Sequence, residues 1–229
     1  MDNAESLRQA ILDNDRSVFG YELFDRSVAA ELHTASSDAQ LLFNLLSMAD
    51  NEALMQKKTL FINCTHDSLA GGHLELVAPD QIVLEIPALP IAQVDQIQTR
   101  LPTLQAMHER GFRLAFVYSV LTRSYETWLP LASFIKFDLS VLKPDTLTTF
   151  VKLAQAQSKA QLIADKVEIA SQFAFVSKLG VSLFQAGWSR PLCSVTAARS
   201  LRAESTSRVS EPATASFLST PLPWALPSM

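Results

Sequence analysis

Six short apolar runs in the chain each stop on, or carry, a polar residue of a kind that holds a metal ion, moves a proton or fixes a phosphate. YELF carries Glu22, LFIN ends on Asn63, VLE on Glu85, FIKFD carries Lys136 and ends on Asp138, LIAD ends on Asp165, and LFQ on Gln185. Carboxylates joined by an amide are the oxygen donors a hard divalent cation requires. A seventh run, RLAFVYS at residues 113–119, departs from this pattern because it ends in Val117 and Tyr118. Valine cannot ligate a metal, and a phenol with an ordinary pKa of about 10 stays protonated at neutral pH. A metal-binding barrel would be expected to offer carboxylates there.

Chemistry-bearing residues at the ends of successive apolar runs need an architecture that gathers those ends. From about residue 18 to about residue 192 the chain alternates strand-like runs with stretches of helical period. SDAQLLFNLLSMADNEALMQ, LPIAQVDQIQTRLPTLQAMHERG, SYETWLPLA, KPDTLTTFVKLAQAQS and EIASQFAFVSKLG read as helices, and DSLAGGHLELVAPD as a short helix or loop broken by Gly71 and Gly72. The strands are too apolar to keep one wet face, so the sheet is mainly parallel and covered by helices. No Gly-rich phosphate loop follows the first strand, and polar residues come from nearly every strand end. Both facts favour a closed barrel over an open doubly wound sheet. The lead RQAILDNDRSVFG reads as a hairpin partner of the first strand, so one antiparallel strand is allowed for. Phe61, Phe112, Phe116, Phe134, Phe137 and Phe184 are expected in the core.

A chain of 229 residues with 48% apolar and 18% charged residues suits one barrel domain. Residues 1–195 are expected to form it. Residues 196–229, rich in Ser, Ala and Pro, are expected to be a disordered tail. The net charge of −4, with both signs interspersed, leaves no basic footprint for nucleic acid and no polybasic membrane anchor. The acidic start lacks the apolar stretch of a secretion signal, and no run reaches the roughly 18 apolar residues that span a bilayer, so a cytoplasmic location is expected. Cys64 and Cys193 have no metal-site spacing and read as apolar fillers, while His33, His66, His73 and His108 fall at irregular spacings. GxSxG, P-loop and HExxH motifs are absent.

From residue 8 to about residue 192 the motifs resemble those of the EAL-domain family, phosphodiesterases of the bacterial second messenger cyclic di-GMP. RQAI is similar to the family's QPI entry. YELFDR places Glu22 on the defining glutamate and Arg26 on a phosphate-contacting arginine. LFIN and VLEIPA place Asn63 and Glu85 on metal-ligand positions, although the rest of the ELTE motif is lost. FIKFD resembles the KID segment, with Lys136 on the water-positioning lysine. IADKVE resembles AEGVE, with Asp165 in place of the general-base glutamate and Glu168 retained, and LFQAGW resembles the terminal QGY through Gln185. The lead most resembles the branch in which a divergent EAL domain precedes an HDOD domain; nothing after Val195 resembles that second domain. The resemblance implies a TIM-like (β/α) barrel of EAL type.

The departure lies at the family's DDFG motif, where Val117, Tyr118, Ser119 and Val120 stand. The segment from Val117 to Lys136 contains no glycine and is shorter than the family pattern. The expected function is a catalytically inactive EAL-like signalling module that acts through a protein partner or by metal-independent nucleotide sensing. The alternative is a cyclic di-GMP phosphodiesterase with a reduced metal site. Glu22, Asn63 and Glu85 are then vestigial metal ligands, Lys136 and Asp165 are family-equivalent catalytic positions without function, and Arg26, Glu168 and Gln185 are the ligand contacts if nucleotide binding is retained. No cofactor is expected, with Mg or Mn in play only if activity remains. The partners implied are an unidentified signalling protein and, where binding is retained, cyclic di-GMP; a homodimer is allowed for. Four carboxylates (Glu22, Glu85, Asp165, Glu168) against two cations (Arg26, Lys136) leave −2 at the mouth, which opposes an anionic nucleotide.

Overall fold

The computed structural model describes residues 6–25, 34–39 and 58–186. Eight strands close into a barrel in chain order: β1 (Ser6–Asp13), β2 (Val18–Asp25), β3 (Thr59–Asn63), β4 (Ile82–Ile86), β5 (Arg113–Val117), β6 (Ala132–Asp138), β7 (Gln161–Val167) and β8 (Leu183–Ala186). β1 runs antiparallel to both β2 and β8, and every other neighbouring pair is parallel. The antiparallel strand is thus the N-terminal lead itself, and the strand bearing Glu22 runs parallel to β3. A tight turn makes the hairpin: the Asp13 carboxylate accepts from the Asp15 and Ser17 backbone N–H groups, and Arg16 takes a left-handed φ of 62°.

Period-two alternation sorts the strand residues into two apolar layers. Ile11, Phe61, Val83, Ala115, Phe134, Ile163 and Leu183 point inward and plug the barrel, where the Phe61 and Phe134 rings meet edge-on at 5.1 Å and Phe19 packs against both. Leu60, Ile62, Leu84, Phe116, Ile135, Phe137, Ala164 and Phe184 point outward, beneath the covering layer. All six phenylalanines expected in the core are buried.

That cover includes α1 (Ile97–Glu109), α2 (Pro144–Gln157) and α3 (Ala170–Lys178), with short 3₁₀ turns between other elements. The chain leaves α1 and α3 through Gly111 (φ 97°) and Gly180 (φ 88°), left-handed positions where a side chain would be strained. SYETWLPLA forms 3₁₀ turns rather than the expected helix. The reason is tethering: Trp128 is fully buried with its indole N–H on the Ile97 carbonyl, and the Tyr125 hydroxyl bonds the Leu89 backbone, so tertiary anchors set its path. The region between Gly71 and Gln81 is likewise built of 3₁₀ turns. Of the helix expected near residues 37–56, residues 35–39 are described and are helical; the rest lies outside the described residues, as do Arg26, His33, Cys193 and the tail. No described helix is long and apolar enough to cross a membrane.

Candidate functional site

One step along each strand beyond the inner apolar plug, the same alternation brings Glu22, Asn63, Glu85, Val117, Lys136, Asp165 and Gln185 to the C-terminal mouth. Lys136 is the hub. Its ammonium, extending from β6, donates to Glu22 Oε2 at 2.7 Å and to both Glu85 oxygens at 2.9 Å. Asn63 Nδ2 donates to Glu22 Oε1 at 2.9 Å, and Gln185 Nε2 donates to Glu22 Oε2 and to Gln9 Oε1. Every carboxylate oxygen of Glu22 and Glu85 therefore accepts from a side-chain N–H. Glu22, Glu85, Lys136 and Gln185 are all buried.

A cavity of about 350 Å³ opens above this network, lined by Glu22, Asn63, Glu85 and Lys136 on its polar side and by Ile86, Pro87, Ala115, Phe116 and Val117 on its apolar side. Cys64 and Thr65 complete the wall. Burial, then the neighbouring Asp38 charge, push the Cys64 thiol well above its usual range, so it carries no thiolate at neutral pH.

The two residues at the departure point separate in space. Val117 faces the cavity and is 37% exposed. Tyr118, one residue on, turns outward, where it stacks on Phe137 and meets Phe150 of α2 with ring centroids 5.2 Å apart. β5 ends at Val117 and Tyr118 opens a 3₁₀ turn (Tyr118–Leu121), so the phenol packs in the covering layer and, of the two, Val117 lines the mouth.

Burial raises the Glu22 carboxyl, but attraction to Lys136 with hydrogen bonds from Lys136, Gln185 and Asn63 outweighs it and holds the group below its usual range. Glu85 goes the other way: burial and then the Glu22 charge push it up to about 8 against the pull of Lys136. Lys136 loses charge stability to burial and regains more from Glu85, Glu22 and Asp165, so it stays protonated. Asp165 is raised, by burial first and then by Glu22 and Asp138. Burial and the crowding of carboxylates thus favour the neutral forms of Glu85 and Asp165, which lowers the negative charge an anion would meet; Glu168 is exposed.

A second ion pair lies at the β6–β7 edge. Asp138 and Asp165 are register partners on adjacent strands. Lys166 Nζ donates to Asp138 Oδ2 at 2.6 Å, Ser140 donates twice to Asp138 Oδ1, and the Lys166 backbone N–H donates to Asp165 Oδ1 at 2.7 Å. Lys166 sits in a break of register between β7 and β8 with φ 58°. A left-handed non-glycine residue costs about 1–2 kcal/mol, whereas a part-exposed ion pair such as this one (41% and 27%) contributes about 0–1 kcal/mol. Sequence reasoning passed over Lys166. The signal was the glycine of AEGVE, which IADKVE replaces with lysine. Gln9 was missed as well, because its contact with Gln185 joins residues 176 apart.

His66 Nε2 lies 2.9 Å from the Pro87 carbonyl, and burial depresses its basicity. Among the described residues, no group of three or more His, Cys, Asp and Glu is arranged to hold a metal.

No protein-family model matches the chain. The cyclic di-GMP phosphodiesterase CdgJ of Vibrio cholerae is 30% identical over 192 residues, covering 78% of this chain and 42% of that protein. The chain thus spans less than half the length of this relative. Klebsiella pneumoniae BlrP1, solved with calcium and cyclic di-GMP, superposes with a TM-score of 0.61 at 20% identity, covering 78% of this chain and 53% of that one. Bacillus subtilis YkuI, a protein with an EAL domain solved with substrate cyclic di-GMP and calcium, gives 0.60 at 17% identity, covering 86% and 60%. The chain is an EAL-type barrel. The S helix-GGDEF-EAL part of Vibrio cholerae LapD shares the fold, with a TM-score of 0.59 at 16% identity over 79% of this chain and 52% of that one.

In this EAL-type barrel the four oxygens of Glu22 and Glu85 are engaged within the protein by Lys136, Asn63 and Gln185, and the β5 position at the mouth, the isopropyl group of Val117, carries no donor.

Proposed function

We propose that the barrel is a catalytically silent EAL-type signalling module that works by binding rather than by turnover. The observation that carries this reading is Val117, whose isopropyl group lines the mouth where the resembled family motif has an aspartate. A two-metal hydrolysis needs oxygen donors there for cations that make hydroxide and steady the leaving oxygen. Here Val117 adds no donor to Glu22, Asn63 and Glu85, so the ligand set for a second ion is incomplete. A signalling protein is the partner class that fits a module without turnover.

A second reading is metal-independent binding of cyclic di-GMP, the nucleotide that solved EAL relatives hold. The reduced charge of the mouth supports it, since the upward shift of Glu85 removes part of the repulsion an anion would meet. Against it, Gln185 is turned into the Glu22 network and does not line the cavity. Arg26 lies outside the described residues. A phosphodiesterase with a reduced metal site is the third and least supported reading.

Calorimetric titration of cyclic di-GMP into the full chain, with Mg²⁺ and with EDTA, followed by chromatography of the recovered nucleotide, separates the three. Silence in both buffers with intact nucleotide supports action through a protein partner. Saturable heat of equal size in both, with intact nucleotide, supports the receptor. Linear dinucleotide formed only with Mg²⁺ overturns the silent module.

A further inference from the structure

We propose that Trp224, within the run PLPWALP at residues 221–227, seats on the apolar wall of the mouth cavity in its own chain and covers it. The inference goes beyond the silent-module reading and does not rest on it, since it concerns the wall rather than the carboxylates. The two sides of the cavity, about 350 Å³ in volume, differ in what they leave unsatisfied. On the polar side Lys136 makes three hydrogen bonds, and every oxygen of Glu22 and Glu85 already accepts one. A polar guest there would have to displace bonds already made. On the other side Ile86, Pro87, Ala115, Phe116 and Val117 form an apolar lining, and Val117 is 37% exposed. A lone exposed valine on a convex surface needs no explanation, but one set in a concave apolar wall forms a seat for an apolar side chain.

The topology limits which part of the chain can supply it. β8 ends at Ala186 on the same rim, and in the closed ring of eight it stands opposite β4. With strands about 4.8 Å apart and tilted, such a barrel is about 15 Å across. Trp188 follows Ala186 by two residues, so its backbone travels about 7 Å at most and stops short of halfway to the β4–β5 wall. Trp224 lies 38 residues past Ala186, a contour of up to about 120 Å. PLPWALP carries no charge, whereas Arg202, Glu204, Arg208 and Glu211 come before it. An uncharged segment suits a wall without donors or charges. Tryptophan brings a large apolar face, and flanking prolines reduce the freedom that docking removes.

The test uses the full chain. Emission from Trp224 is isolated as the difference between wild type and W224F, so that Trp128 and Trp188 cancel. It should be blue-shifted and shielded from acrylamide at every protein concentration, and V117D, which puts a carboxylate in the seat, should abolish both effects. F217L, which alters the other aromatic residue of 196–229, should leave both unchanged. Contact is read directly by placing p-benzoyl-phenylalanine at position 224 and mapping the photo-crosslinks by mass spectrometry. They should join residue 224 to residues 86–87 or 115–117 within one chain. This arm needs no change at the wall, so it decides the matter even where V117D does not fold. A Trp224 emission that is red and open to quencher, or crosslinks that avoid the wall, overturns the inference. Crosslinks at the wall that join two chains give the seat to a second copy and overturn it as well. Turnover of cyclic di-GMP by the wild type would end the silent-module reading and leave this one standing.

Discussion

At the scale of single residues, the mouth is governed by one ammonium and the carboxylates it serves. Lys136 cannot be removed without leaving Glu22 and Glu85 buried together, and breaking a buried pair from one side costs about 3–5 kcal/mol. K136M should lower stability by that amount in chemical denaturation, while K136M combined with E22Q and E85Q should recover most of it, because no buried charge is then stranded. Glu85 adds a pH dependence. Its carboxyl rises from an ordinary 4.5 to about 8 on folding, so between those values the folded protein holds a proton that the unfolded chain releases. Stability must then fall as pH rises through that window, by at most about 1.4 kcal/mol per pH unit for one group. The raised Asp165 adds to the slope from the acid side, whereas the lowered Glu22 acts below 4.5 and Lys136 above 10.5. E85Q replaces the protonated acid with an amide, and thermal denaturation from pH 5 to pH 8 should show a flatter profile than the wild type. An unchanged slope would assign the proton to another group.

At the scale of elements, the strands deliver the site and their contacts tolerate little change. Gly20 shows this where β2 meets β3: a methyl group there would meet the Thr59 carbonyl oxygen at 2.3 Å. G20A should push the two strands apart and cost about 1–3 kcal/mol, the range for overpacking, and should disturb the Glu22–Asn63 contact two residues further along. Hydrogen exchange at the β2 and β3 amides would reveal it as lost protection in those strands alone. Strand ends were readable because polar side chains interrupt apolar runs at Glu22, Asn63, Glu85 and Asp165. The split between Val117 and Tyr118 was not readable, since β5 ends at Val117 and Tyr118 opens a 3₁₀ turn. The Trp128 and Tyr125 anchors were not readable. Residues 124–132 carry a plausible helical pattern, and its replacement by 3₁₀ turns depends on contacts with Leu89 and Ile97, more than thirty residues away. Lys166 stayed hidden for a related reason: lysine carries no signal for a left-handed backbone, and the bulge is set by pairing with β8.

At the scale of the whole molecule, a barrel that gathers eight strand ends at one mouth retains its shape whether or not the mouth does chemistry, because the inner plug of Phe61, Phe134 and their neighbours lies beneath the polar layer and does not depend on it. The EAL-type fold is therefore compatible with two outcomes, turnover and binding, and the side chains at the mouth choose between them. The direct measurement is the initial rate of cyclic di-GMP cleavage by the purified full chain in excess Mn²⁺, with E22A as the control and linear dinucleotide resolved by chromatography. The expected result is intact cyclic nucleotide from both proteins. Linear product from the wild type, absent with E22A, would contradict the account by showing that Glu22 serves a metal rather than Lys136.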